Sequence, residues 1–299
     1  MNLKKRVTGL LLIMVMAVSG LLSGCSKSDT IIIGSKDFSE NILLGEMLAQ
    51  LIETHTDLKV DRKLNLGGTF VCFEAIKNGD IDVYPEYTGT GLTAQLEMDV
   101  ISDPDEAYSI VSDEFNKQYN ITWLTPFGFN NTYTLAVSDA VYQEYGIETF
   151  SDLAKVSENL VFGAEHEFFD RADGYDGLIE KYTMTFSGDP MKMNNSLKYQ
   201  AIGNGDMDVT DAFATDGALK QYNLKVLTDD LGFFPPYYAA PIVKNETLEK
   251  HPELKEVLNM LGGVIDDATM TSLNYKVDVE GTDVAVVAKE FLQEKGLLD

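Results

Sequence analysis

The sequence predicts an α/β protein of two lobes joined by two crossover segments. Three observations carry this expectation. Strand and helix patterns alternate from residue 31 onward, one nine-residue phrase occurs twice, and two stretches rich in Phe, Gly and Pro stand where the chain would pass between lobes. About 275 residues beyond the leader is more than one typical domain, which suits two lobes.

The chain opens with Lys4, Lys5 and Arg6, then an apolar run from Val7 to Leu22 that ends in Leu22-Ser23-Gly24-Cys25. A positive head, an apolar middle and a small-residue exit form a secretory signal over 1–24. The Cys at the exit makes it the lipoprotein kind, with Cys25 the lipidated first residue and 25–30 a short polar leash. The run falls short of the ~20 apolar residues a stable span needs.

Thr30-Ile31-Ile32-Ile33-Gly34 reads as a buried strand. Asp37 with Glu40 three residues on resembles a capping box. Leu43, Leu44, Met47, Leu48, Leu51 and Ile52 follow at helical spacing. Lys59 to Leu66 is the next strand, and Gly67-Gly68-Thr69 turns into a helix through Ala75 and Ile76. This order predicts layers on a mostly parallel sheet, with ligands at the carboxyl ends of its strands.

Ala75-Ile76-Lys77-Asn78-Gly79-Asp80-Ile81-Asp82-Val83 then recurs, 126 residues later, as Ala201-Ile202-Gly203-Asn204-Gly205-Asp206-Met207-Asp208-Val209. Each copy reads as a helix end, a left-handed glycine turn and a strand. The same offset pairs Tyr87 with Phe213 and Thr90 with Asp216, so each lobe presents an aromatic after an equivalent strand. Crossovers are expected at Phe127-Gly128-Phe129-Asn130-Asn131 and Phe233-Phe234-Pro235-Pro236. They divide the chain into lobe I, 31–131 plus 237–299, and lobe II, 132–236. Helical spacing returns in the tail at Leu254, Val257, Leu258 and Leu261, and at Val286, Val287 and Phe291.

Without residues 1–24 the chain holds 20 basic and 48 acidic residues, a net charge of −28. That balance argues against nucleic acid, whose phosphates need clustered Lys and Arg. Cys72 is then the lone thiol, in the apolar stretch Val71-Cys72-Phe73, and reads as a small buried residue. His55, His166 and His251 lack metal-ligand spacing, so no metal is expected. No phosphate loop and no nucleophile elbow is present, which speaks against an enzyme and a cofactor.

Aromatics gather at the crossovers and strand ends: Tyr84, Tyr87, Tyr133, Phe213, Tyr237 and Tyr238. Such rings suit a quaternary ammonium, which has no N–H to donate and is held by ring quadrupoles at roughly 0.5–2 kcal/mol each. Strand alternation turns Tyr84 and Tyr238 away from the others.

On these phrases the chain resembles the substrate-binding lipoproteins of ABC importers for glycine betaine, carnitine, choline and related solutes. The resemblance spans the mature chain and rests on Gly34-Ser35-Lys36-Asp37-Phe38-Ser39-Glu40, Asp82-Val83-Tyr84-Pro85-Glu86-Tyr87-Thr88-Gly89-Thr90, Asn131-Thr132-Tyr133, Glu167 through Gly174, Asp211 through Gly217, and Pro235-Pro236-Tyr237. It implies the two-lobed venus flytrap fold of periplasmic binding proteins (type II). It also implies a cage of Tyr87 and Tyr237 from lobe I facing Tyr133 and position 213 from lobe II. That position is Phe213 where the family usually has Tyr, which costs a hydroxyl. Arg171 matches the family's carboxylate clamp; the alternative is a surface Arg paired with Asp170 or Asp173. Lys36 at a strand-to-helix turn and Thr90 near the cage complete the expected ligand set, against a solvated Lys and a helix cap. The resemblance further implies a small quaternary amine as ligand and a membrane permease with cytoplasmic ATPase subunits as partner. The protein is expected to be a monomer, exported and lipid-anchored to the outer face of the cell membrane. A choline-preferring receptor and a sensor domain are the alternatives.

Overall fold

In a computed structural model, residues 30–298 are described; the predicted signal, Cys25 and most of the leash lie outside them. The chain alternates β1 (Thr30–Lys36), α1 (Ser39–His55), β2 (Lys59–Gly67), α2 (Thr69–Asn78) and β3 (Val83–Tyr87). Further strands are β4 (Ile121–Trp123), β5 (Tyr133–Val137), β6 (Phe162–Glu165), β7 (Met191–Met193), β8 (Val209–Phe213), β9 (Lys225–Val226) and β10 (Ala239–Lys244). They form two five-stranded sheets, in the orders β2-β1-β3-β10-β4 and β7-β6-β8-β5-β9.

Both sheets are mixed, where the sequence reading expected mostly parallel strands. β1 and β3 run parallel, as do β6 with β7 and β8. The strands that follow the crossovers differ: β10 is antiparallel to β3 and β4, and β5 to β8 and β9. A strand entering a sheet from the neighbouring lobe is not tied by a right-handed βαβ connection, so it can pair in the opposite sense. The chain passes between the sheets near Asn130–Asn131 and Tyr237–Tyr238. There the two segments bridge antiparallel, with the Asn131 N–H donating to the Tyr237 carbonyl at 3.1 Å.

The repeated phrase folds twice in the same way. Gly79 and Gly205 each cap a helix at φ 79°, ψ 21°, the left-handed region that glycine enters at little cost. The Asp80 N–H reaches the Ala75 carbonyl at 2.8 Å, and the Asp206 N–H reaches Ala201 at 3.0 Å. Asp82 Oδ2 accepts from the Ile32 N–H at 2.8 Å and Asp208 Oδ2 from the Val161 N–H at 2.9 Å. These side chains pin β1 and β6 beside the strands that follow the repeats.

Helix α1 is the scaffold of lobe I. Its apolar positions Leu43, Leu44, Met47, Leu48, Leu51 and Ile52 are fully buried, against β2 and against two C-terminal helices, Asp267–Asp278 and Val284–Glu294. In the last helix Val287 and Phe291 face this core, while Val286 is exposed. The capping box does not form. Phe38 occupies the N-cap with extended backbone and no side-chain cap bond, which forgoes roughly 1 kcal/mol. Glu40 turns inward to the cleft instead. Cys72 is buried and unbonded to another sulfur, and burial pushes its thiol up to about 12.

Candidate functional site

The carboxyl ends of β1, β3, β6 and β8 face one cleft between the lobes, about 410 Å³ of void when the solvent at its mouth is included. All seven residues expected at the site line it: Lys36, Tyr87, Thr90, Tyr133, Arg171, Phe213 and Tyr237. Tyr133 and Phe213 are cross-strand partners on β5 and β8, with ring centroids 4.5 Å apart. Tyr237 meets Tyr133 edge-on at 5.5 Å. That approach depends on Gly89, where a Cβ would lie 2.6 Å from the Tyr237 ring. Tyr87 ends β3, its hydroxyl donating to Glu40 Oε1 at 2.9 Å.

Arg171 is fully buried and is held by Asp173: Nε donates to Oδ1 at 2.9 Å and Nη2 to Oδ2 at 2.6 Å. The pairing weighed as a surface alternative thus exists, but inside the cavity wall. Burial works against the guanidinium charge; Asp173 outweighs it and holds the pKa above its usual value. Asp173 in turn accepts from Thr93 at 2.7 Å and from the Tyr237 hydroxyl at 2.5 Å, so the pair clamps lobe II to lobe I. Nη1 lies 3.7 Å from Glu167 Oε1, so the guanidinium stands between two carboxylates, Asp173 and Glu167.

Lys36 is no solvated lysine. Its Nζ donates to Glu86 at 2.7 Å and to Thr69 Oγ1 at 2.8 Å, and stands 5.2 Å from the Tyr87 ring centroid. Lobe II repeats the arrangement with Lys198, which pairs with Asp211 at 2.8 Å and lies 4.7 Å from the Phe213 ring. Thr90 ends a buried helical turn over Thr88–Thr90; its neighbour Thr88 makes the crossover bonds, to the Pro236 carbonyl and from the Tyr238 N–H. Tyr84 points into the lobe I core and bonds Glu86 at 2.9 Å.

The sequence reading missed several groups. Glu165 lines the cavity and accepts from the Tyr133 hydroxyl at 2.7 Å. Burial pushes its pKa up to about 7, against the pull of Lys198 and with the push of Asp211 and Glu167. The repeat gave no signal for it: only the bonds from Asp82 to Ile32 and from Asp208 to Val161 make those positions equivalent, and with them Lys36 and Glu165 four residues on. Glu167 crosses the cleft to the N-terminus of α2, taking the Thr69 N–H at 3.0 Å. Gly68 leaves it room, since a Cβ there would sit 2.2 Å from Glu167 Oε2. Phe38 also lines the cavity.

Glu40 is the other missed carboxylate. It accepts from Tyr87, Asn131 and Asn274, at 2.9, 2.7 and 2.8 Å, and from Thr215 of lobe II at 2.5 Å. Burial raises its pKa to about 7, against these bonds. Among the described residues no cluster of His, Cys, Asp and Glu could hold a metal ion. The arrangement brings four rings from both lobes and one buried guanidinium to a single cavity.

A family described as the substrate-binding domain of ABC-type glycine betaine transport systems matches residues 29–294. The carnitine transport binding protein OpuCC of Listeria monocytogenes is 37% identical over 306 residues, covering 99% of each chain. The ergothioneine transport permease/ergothioneine binding protein EgtU of Helicobacter pylori is 39% identical over 268 residues, 89% of this chain and 48% of that one. A crystal structure of a glycine betaine/carnitine/choline ABC transporter protein superposes with a TM-score of 0.73 at 38% identity, covering 90% of this chain and all of the other.

Proposed function

From the premise that the chain belongs to the family of substrate-binding domains of ABC-type glycine betaine transport systems, we propose that it captures a quaternary ammonium zwitterion of the glycine betaine or carnitine kind and hands it to a membrane permease. The family is one of extracytoplasmic transport receptors rather than of enzymes. The observation that carries the ligand reading is the convergence of Tyr87, Tyr133, Phe213 and Tyr237, drawn from both lobes, on one cavity that also holds Arg171. Rings from both lobes meet a ligand only when the lobes close, so binding selects the closed form. The trimethylammonium sits among the rings, and the Arg171 guanidinium of lobe II takes the carboxylate, with Lys36 and Thr90 lining the cavity from lobe I. Lobe boundaries at 131/132 and 236/237, a lipid anchor on Cys25 and a monomeric state belong to the same reading.

A second reading is favoured by Glu165 and Glu167. Together with Asp37 and Gly68 they line both this cavity and a neighbouring chamber that reaches His166, Met193 and Asn194. A betaine with a longer, hydrogen-bond-donating end, such as the ergothioneine named for the Helicobacter relative, would use that space.

Calorimetric titration of residues 26–299 with glycine betaine, carnitine, ergothioneine and choline tests both. Micromolar or tighter binding of the short zwitterions over choline supports the first reading. Preference for ergothioneine supports the second. Choline alone binding removes the carboxylate clamp, and no binding by any of the four overturns the cage.

A further inference from the structure

Phe38 stands where the cage cavity meets a second cavity. Its ring is stacked on Phe213 at 5.6 Å with 14° between the planes, and lies 6.0 Å from Tyr87. It therefore touches one ring of each lobe. The second cavity, about 770 Å³ of void open to solvent, has Phe38 in its wall too. Asp216, Asp278, Tyr199 and Tyr222 line its far side. Asp37 and Phe38 are the residues common to both cavities.

Local sequence preference does not explain an aromatic at this position. It is the N-cap of α1, where Ser, Thr, Asp or Asn would satisfy the first-turn N–H groups, and no side chain does so here. Asp37 and Ser39 flank it and could have served. A local rule set aside beside a ligand cavity is the mark of a residue kept for the site. The extended backbone at Phe38, φ −127° and ψ 152°, directs the ring into the cleft instead of along the helix.

Resting on the quaternary ammonium reading above, we propose that Phe38 is a specificity-determining wall of the cage, which limits the bulk of the substituents on the ligand nitrogen. Its ring closes the side of the cage that would otherwise open into the second cavity. Trimethylammonium compounds fit against it; larger alkyl groups collide with it. Removing the ring joins the two voids and admits the larger heads, and the carboxylates beyond it do not oppose a cation. Phe38 is half buried and packs on the edge of the core, so a thermal melt of each variant checks that it still folds, and Phe38→Leu keeps apolar contact that Phe38→Ala gives up.

The test is titration of the wild type, Phe38→Ala and Phe38→Leu with glycine betaine and with N,N,N-triethylglycine, which keeps the carboxylate and enlarges the head. The wild type is expected to prefer the trimethyl compound by a hundredfold or more. Phe38→Ala lowers that ratio at least tenfold, chiefly by improving triethylglycine binding, and Phe38→Leu falls between. A ratio unchanged in both variants, whatever happens to the individual affinities, overturns the proposal. A wild type that binds neither compound overturns the cage reading, and this inference with it. A wild type that binds both equally overturns the inference alone.

Discussion

The Thr215 hydroxyl of lobe II donates to the Glu40 carboxylate of lobe I at 2.5 Å, and the same carboxylate accepts from the cage residue Tyr87. One buried group thus couples a ring of the site to closure. A hydrogen bond to a charged acceptor is worth about 1.5–3 kcal/mol. At pH 8 and above, where Glu40 is ionised, Thr215→Val should therefore speed ligand release roughly tenfold or more, with the cage rings untouched. Stopped-flow release kinetics check this; an unchanged off-rate would mean that the bond is no part of the closed, liganded form.

Glu40 and Glu165 both have their pKa raised by burial to about 7 from an ordinary 4.5. A carboxyl with a raised folded-state pKa takes up a proton on folding between those values. Stability therefore falls as pH climbs from about 5 to 7.5, by up to roughly 3 kcal/mol per group. Asp173 has a depressed pKa, because the Arg171 charge outweighs its burial, and acts the other way only at lower pH. Thermal melts from pH 5 to 8 should show the decline, and Glu40→Gln should flatten it. A melting temperature that rises across this window contradicts the assignment.

Much of this was legible in the chain. The strand-helix order, the repeat and the cage aromatics are local patterns, and each stands where a short phrase with fixed turn chemistry puts it. What was not legible depends on contacts between segments far apart. Glu40 looked like a capping residue because its nearest neighbours permit that; its partners lie at positions 87, 131, 215 and 274. Phe38 looked like part of a motif rather than a wall, since its ring partners come from β3 and β8. Strand direction was misjudged for β5 and β10, because a chain arriving from the other lobe carries no directional signal of its own.

Tyr133 is both a ring and a hydrogen-bond donor, to Glu165 at 2.7 Å. The two roles separate by substitution. Tyr133→Ala should weaken betaine binding at least tenfold, since it removes a desolvated ring from the cage. Tyr133→Phe keeps the ring and should change affinity by less than about threefold. Calorimetry on both variants decides; equal losses would move the weight from the ring to the hydroxyl.

Cys25 is proposed as the lipid attachment point. A single exported chain with Cys25→Ser should leave the membrane fraction for the soluble one, while its ligand affinity stays as it was, because 30–298 carries the whole site. Fractionation followed by immunoblotting reads the first outcome. Retention in the membrane would point to another anchor.

Arg171 gives the sharpest separation of ligand chemistry. Its Nε and Nη2 are held by Asp173 and its Nη1 stands 3.7 Å from Glu167, so in the proposed complex a ligand carboxylate takes the Nη1 edge in competition with Glu167. Lysine would keep the charge beside Asp173, and so keep the Asp173 bonds to Thr93 and Tyr237, but its single point donor cannot serve both carboxylates with a fixed fork. Arg171→Lys is therefore expected to cost glycine betaine at least tenfold in affinity and choline less than about threefold. A thermal melt confirms that the buried pair is still satisfied. Equal losses for both ligands would make Arg171 a structural clamp between the lobes and leave the carboxylate to be held by Lys36 or Thr90.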